Sequence, residues 1–333
     1  MKKESTGLYI WRMIYPILIF LGVDTLLTYI VMFAYMYMEM AGTGFDLSAA
    51  GMQSLLEGTL NFTYSNALYL SIGRSAICIP VFFILMRMDV KRDKKYEKYV
   101  EYTSYNKAYL LILPLLGIAV ALGFNNLVVI IVDLLQAGIN AILNMIPGID
   151  YVVDLYKTYN ESSDIIYAGS IFVQILSTCI CAPLVEESLF RGLLYKRMRT
   201  RLKMIPSILI SAAIFGIIHG NLVQFIYAFF IGVILAFVYE KFKTIWAPII
   251  LHAGANLLSV IYTMILGEDG IGMPLWLYII ITAIELAIAF LLMLLIQKKV
   301  NRRAITPEEQ MALAVIRPKQ TDNFNQEKVE EHK

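Results

Sequence analysis

Eight predominantly apolar stretches recur along the chain, and each can serve as a helix crossing a hydrocarbon layer, which needs about 20 residues, some only with tilt or partial shielding. They fall at roughly 13–37, 67–86, 109–133, 165–195, 205–220, 223–239, 245–266 and 275–296. A water-soluble core could not hide them: 59% of the 333 residues are hydrophobic, against about 45–50% in soluble domains. A bilayer admits only segments whose backbone groups satisfy one another. The chain is therefore predicted to be all-α, a polytopic transmembrane helical bundle of about eight spans. The first stretch is longer than the apolar region of a signal peptide and reads as a span, not a cleaved leader. Cys78, Cys179 and Cys181 lie in apolar stretches without CxxC spacing and read as small buried hydrophobes.

Lys and Arg set the orientation, because they collect on the cytoplasmic side. They crowd before the first stretch (Lys2, Lys3, Arg12) and between the second and third (Arg87, Lys91, Arg92, Lys94, Lys95). They recur after the fourth (Lys196, Arg197, Arg199, Arg201, Lys203), the sixth (Lys241, Lys243) and the eighth (Lys298, Lys299, Arg302, Arg303). The alternate connections are acidic or neutral, with Lys157 the exception. Both termini are therefore predicted to be cytoplasmic, in a multi-pass protein of the cell membrane whose first partner is membrane lipid. The expected organisation is two spans and a basic loop over 1–108, then a third span and an outer loop over 109–164. Central helices occupy 165–262, a final span 263–303 and a polar cytoplasmic tail 304–333. The basic residues sit beside spans rather than in one domain, so the net charge of +2 gives no reason to expect a nucleic acid partner.

An ionisable side chain in the hydrocarbon layer is costly and marks a functional site by default. The central stretches concentrate such groups: Glu186, Glu187 and Arg191 in CAPLVEESLFRGLLYKR, His219 in SAAIFGIIHGN, His252 and Asn256 in WAPIILHAGANLL. Residues four apart share a helix face, so Glu187 is predicted to pair with Arg191 and brace its helix. Glu186, rotated by about 100°, is left to face another partner. His252 and Asn256 are also four apart. At about 1.5 Å per residue, Glu186 lies about 15 Å from the inner end of its span, His219 about 21 Å, His252 about 10 Å and Asn256 about 16 Å. With tilt, one layer can hold all four. Pro183 either opens a polar pocket by kinking the helix or merely bends it. Asp24 and Glu285 read as interhelical partners, and Arg74 as a side chain snorkelling to the outer surface.

A carboxylate beside an imidazole in an apolar pocket can activate water. A second imidazole and an amide on one helix face can donate hydrogen bonds to a developing oxyanion. These parts serve hydrolysis of a peptide bond, in a small peptide or a membrane-anchored protein. Glu186, His219 and His252 could instead hold a divalent metal such as zinc with an open water position, so metal-free and metal-assisted catalysis both stay open and no cofactor is fixed. HExxH and GxSxG are absent. Two non-hydrolytic classes would use the same buried groups: a membrane binding protein, for instance one conferring bacteriocin immunity, and a proton-coupled transporter. No internal repeat of the kind that builds many transporters is visible.

The residues also carry a resemblance. EESLFR matches EExxxR, FGIIH matches FxxxH and HAGAN matches HxxxN. In that order, over about 165–262, they resemble the CAAX prenyl protease and bacteriocin-processing (CPBP, or Abi) family of intramembrane endopeptidases. The resemblance implies that Glu186 is the catalytic base, acting with His219 on the attacking water. It implies that His252 and Asn256 stabilise the oxyanion, and that Glu187 and Arg191 support the site. Members have been described both as metalloproteases and as glutamate-dependent proteases, so the metal question stays open.

Overall fold

The computed structural model describes residues 4–43, 46, 48–95, 107–146, 152–160, 169–266 and 274–300; the expected tail 304–333 lies outside the described residues. The helices are α1 (Thr6–Thr43), α2 (Ala49–Ser65), α3 (Ala67–Lys95), α4 (Leu113–Leu143), α5 (Ile171–Met198), α6 (Met204–Ile217), α7 (Leu222–Phe242), α8 (Trp246–Leu266) and α9 (Leu275–Lys299). No strand occurs among the described residues. Seven of these helices, all but α2 and α6, are long and apolar enough to cross a membrane. The chain is a multi-pass membrane protein with an all-α bundle.

Two elements differ from the sequence expectation. α6 has only 14 residues, about 21 Å of rise where the hydrocarbon layer measures about 30 Å. It still returns the chain along the bundle, because α5 and α7 end together. Arg199, just beyond α5, and Tyr195 both bond Glu240 near the end of α7. α2 was not expected as a helix. Its Thr59 and Thr63 are buried, their hydroxyls donating to Leu55 and Thr59 carbonyls one turn back, so a polar sequence presents a packable face. Phe62 stacks on Tyr35 of α1 at 4.6 Å between ring centroids.

α5 is the axis of the bundle. Val185, Leu189, Phe190 and Leu193 are buried among Phe82 of α3, Leu116 and Val120 of α4, Leu235 of α7 and Leu251 of α8. Lipid is as apolar as leucine, so close packing and polar ties, not water exclusion, hold such helices together. α4 and α8 show how closely backbones approach. A Cβ on Gly254 would sit 2.7 Å from Pro114 Cα, and one on Gly117 would collide with the Leu251 carbonyl. Glycine at both positions lets α8, the carrier of His252 and Asn256, press directly on α4.

The basic ends are tied by ion pairs. Buried Asp89 of α3 accepts from Arg12 of α1 at 2.5 Å and from Arg197 of α5 at 2.7 Å. Glu4 pairs with Arg12 at 3.3 Å and Arg92 at 2.6 Å. Farther along the bundle, Glu285 of α9 accepts from Asn126 of α4 at 2.9 Å. Arg74 does not snorkel: it reaches Asp24 of α1 at 2.7 Å and lies over the Phe20 ring at 4.6 Å. Asp24 and Ser71 accept from its two terminal nitrogens at 2.7 and 3.1 Å and hold it inside the bundle.

Candidate active site

α5 is not a uniform α-helix. Two π-helical runs, Ile175–Cys181 and Ser188–Tyr195, flank the α-helical turn Ala182–Glu187 that carries both glutamates. Such widened turns recur at functional sites because they re-aim side chains and free carbonyls. Pro183 has no N–H to return to the preceding turn. The Thr178 carbonyl of that turn accepts Asn256 Nδ2 from α8 at 2.7 Å instead. The proline thus leaves an acceptor that α8 fills.

Behind the site stands a buried charge chain. Glu187 and Arg191 are both fully buried and meet at 2.9 Å, as their spacing predicts. Arg191 also donates to the Gly232 carbonyl of α7 at 2.9 Å and lies 4.7 Å from the Phe215 ring centroid. The sequence did not reveal that Glu187 Oε1 is shared. His252 Nδ1 meets the same oxygen at 3.0 Å. Helix spacing fixes neighbours on one helix, whereas this contact depends on how α8 is rotated against α5.

The four candidate residues line one cavity of about 230 Å³: Glu186 from α5, His219 from just beyond α6, and His252 and Asn256 from α8. Glu186 Oε2 lies 3.9 Å from His252 Nε2. His219 Nδ1 is 2.8 Å from the Phe215 carbonyl, and its ring meets Phe215 edge-on at 4.9 Å. A carbonyl can only accept, so His219 Nδ1 carries a proton, and whenever the ring is neutral Nε2 is an acceptor. With Glu187 ionised, the same reasoning protonates His252 Nδ1 and leaves its Nε2 toward Glu186.

The metal alternative finds no converged donor set. Glu186 and His252 approach one another, and both imidazoles tie Nδ1 to protein oxygens, which leaves each Nε2 as the ligand atom. No three His, Cys, Asp or Glu side chains gather as a ligand group among the described residues. A zinc site with an open position needs three protein ligands, so Glu186, His219 and His252 do not fit zinc in this arrangement.

Residues 168–258 match the family model described as Type II CAAX prenyl endopeptidase Rce1-like. Over 89 residues the chain is 33% identical to "Putative membrane peptidase YdiL" of Bacillus subtilis (strain 168). That alignment covers 27% of this chain and 36% of the relative, so the likeness spans little more than a third of the relative's length. No solved structure matches the chain. Glu186, Glu187, Arg191, His219, His252 and Asn256 all fall inside the matched stretch, while Asn125, Tyr156 and Tyr159, which also line the cavity, fall outside it. Over residues 168–258, which hold the whole carboxylate, imidazole and amide set, this multi-pass membrane protein is similar to the type II CAAX prenyl endopeptidase Rce1-like family.

Proposed function

We propose that the protein is an intramembrane endopeptidase that hydrolyses a peptide bond, in a small peptide or a membrane-anchored protein, with water activated by Glu186 and His252. One observation carries this reading: Glu186 Oε2 and His252 Nε2 face each other at 3.9 Å in a cavity that His219 and Asn256 also line. That separation exceeds a direct hydrogen bond and suits one water molecule bridging both atoms.

Glu186 takes one proton as the water oxygen attacks the carbonyl carbon, and His252 Nε2 accepts a hydrogen bond from the other water hydrogen. Glu187 holds the His252 ring in the required tautomer, and Arg191 holds Glu187. The oxyanion then needs donors. Asn256 spends one amide hydrogen on Thr178 and keeps a second. His252 donates to the oxyanion only when it carries a second proton. Glu186 returns its proton to the leaving nitrogen as the carbon–nitrogen bond breaks, which regenerates the carboxylate. His219 Nε2 is a further proton acceptor on the cavity wall.

The test is cleavage of a proteome-derived peptide library by the purified protein in nanodiscs, read by mass spectrometry. Glu186→Gln is expected to lower cleavage by about 10²–10⁴-fold, the usual range for a positioned general base, with unchanged thermal unfolding. Cleavage at the parent rate by folded Glu186→Gln would remove the base from the mechanism.

A further inference from the structure

The direction in which the cavity runs has a consequence for the substrate. On every helix of the site the lining starts at the catalytic layer and continues only away from the basic end. Glu186 is its last residue on α5 and Ile231 its last on α7, both helices running toward the basic end. Phe215 is its first on α6 and His252 its first on α8, both running away from that end. Toward the basic end the bundle is closed by buried Leu189, Phe190, Leu193 and Leu194 of α5 and then by the Asp89 and Glu240 ion pairs.

At the opposite end the wall comes from the segment 152–160, through Tyr156 and Tyr159. This segment is anchored. α4 runs ten residues beyond the 109–133 stretch that hydropathy marks, to Leu143, and this end of the helix carries Asp133, Gln136 and Asn140 three and four residues apart. Each holds the segment: Asp133 accepts the Tyr156 hydroxyl at 2.8 Å, Gln136 accepts Leu155 N at 2.7 Å, and Asn140 accepts Val153 N at 2.8 Å. Leu155, Tyr156 and Tyr159 pack on Val128 and Val132 of α4 and Val223 of α7. Burial and the neighbouring Asp133 carboxylate push the Tyr156 hydroxyl well above the usual tyrosine range, so it stays protonated and continues to donate.

We propose that Tyr156 and Tyr159 form the specificity wall of the site, receiving an apolar side chain of an extended peptide that approaches from the end opposite the basic one. This rests on the endopeptidase reading and adds to it the direction of approach and the residues that choose the substrate. Those residues lie outside the stretch matched to the family. At about 230 Å³ the cavity is below the about 300–1,000 Å³ of sites that enclose a drug-sized ligand. It has room for a short run of extended chain, with the rest of the substrate outside.

Two measurements on the full-length protein test this. Single substitutions Tyr159→Cys and Ser259→Cys are treated with a membrane-impermeant maleimide in intact cells and in inverted vesicles. The parent, with Cys78 and Cys179 buried and Cys181 half-buried, supplies the background. Labelling above background in intact cells is expected; labelling confined to inverted vesicles overturns the direction of approach. The same peptide library is then cleaved by Tyr159→Ala and Tyr159→Trp. The preference beside the scissile bond is expected to move about tenfold toward larger apolar residues in the first and toward smaller ones in the second, the discrimination one methylene or more commands in an apolar pocket. Cleavage with an unmoved preference in both variants overturns the specificity wall. An inactive parent overturns the endopeptidase reading and the wall with it, while maleimide labelling still decides the direction of approach.

Discussion

Replacing Glu187 by Gln removes one buried charge while keeping the shape of the side chain. Glu187 Oε1 takes hydrogen bonds from Arg191 Nη1 at 2.9 Å and from His252 Nδ1 at 3.0 Å, and both Glu187 and Arg191 are fully buried. In Glu187→Gln the Arg191 guanidinium keeps its charge but loses its directly bonded buried counter-ion, left beside a neutral amide, the Gly232 carbonyl and the Phe215 face. Breaking a buried pair from one side costs about 3–5 kcal/mol, and Arg191→Met should cost a similar amount by stranding the carboxylate. The double variant Glu187→Gln/Arg191→Met strands neither charge. Its loss should fall short of the sum of the single losses by about 0.5–3 kcal/mol, the coupling measured for residues in one network. Unfolding by titration with sodium dodecyl sulfate in mixed micelles, followed by helix circular dichroism, reads all three. Cleavage should not recover with stability. His252 still lacks the carboxylate that fixes its tautomer, and a misassigned tautomer costs about 10⁴-fold in a related arrangement. Additive stability losses, or a double variant that cleaves like the parent, would refute the chain Arg191–Glu187–His252.

Gly254→Leu places a side chain where even a Cβ would lie 2.7 Å from Pro114 Cα. Overpacking there should cost about 1–3 kcal/mol, and cleavage should fall because α8 and its two site residues are displaced; unchanged unfolding and cleavage would contradict the close crossing. Pro183→Ala supplies an N–H that competes with Asn256 for the carbonyls of the preceding turn. Asn256→Ala should therefore cost less cleavage in that background than in the parent, and an equal cost would dissolve the link. The Glu4 carboxyl is pushed up by burial, yet the guanidiniums of Arg92 and Arg12 outweigh this and hold it below the usual glutamate range. With the folded value depressed, the anchoring of the first turn is fully present above the unfolded carboxyl's range. It is lost only as pH falls through the lower folded value. Hydrogen exchange of residues 4–12, corrected for intrinsic rates, should keep its protection down to that acid window. Loss centred above the ordinary carboxylate range would contradict the assignment.

Much of this was legible in the sequence because each inference concerned one helix. Span positions followed from hydropathy, and the Glu187–Arg191 pair followed from spacing of four. Depth along each span also allowed Glu186, His219, His252 and Asn256 to share a layer. Contacts between helices were not legible. Spacing could not show that Glu187 would serve His252 as well as Arg191, since that depends on the close α4–α8 crossing. Nor could it show that Arg74 would find Asp24. The π-helical runs in α5 escaped because hydropathy does not register a change in residues per turn; Pro183 was the one local hint. α2 escaped because its threonines satisfy their hydroxyls internally, which apolar counting reads as a polar loop.

The brevity of α6 carries over to the lipid. Its outward side chains Ile205, Leu209, Ile210 and Ile217 are exposed, so acyl chains border a wall about 9 Å shorter than the hydrocarbon layer beside it. Mismatch of this kind costs fractions of a kcal/mol per ångström and is relieved by thinning or tilt. The membrane against α6 is therefore pinched close to His219, and acyl-chain length becomes a variable of the site itself: short-chain phospholipids fit this flank, long-chain ones strain it.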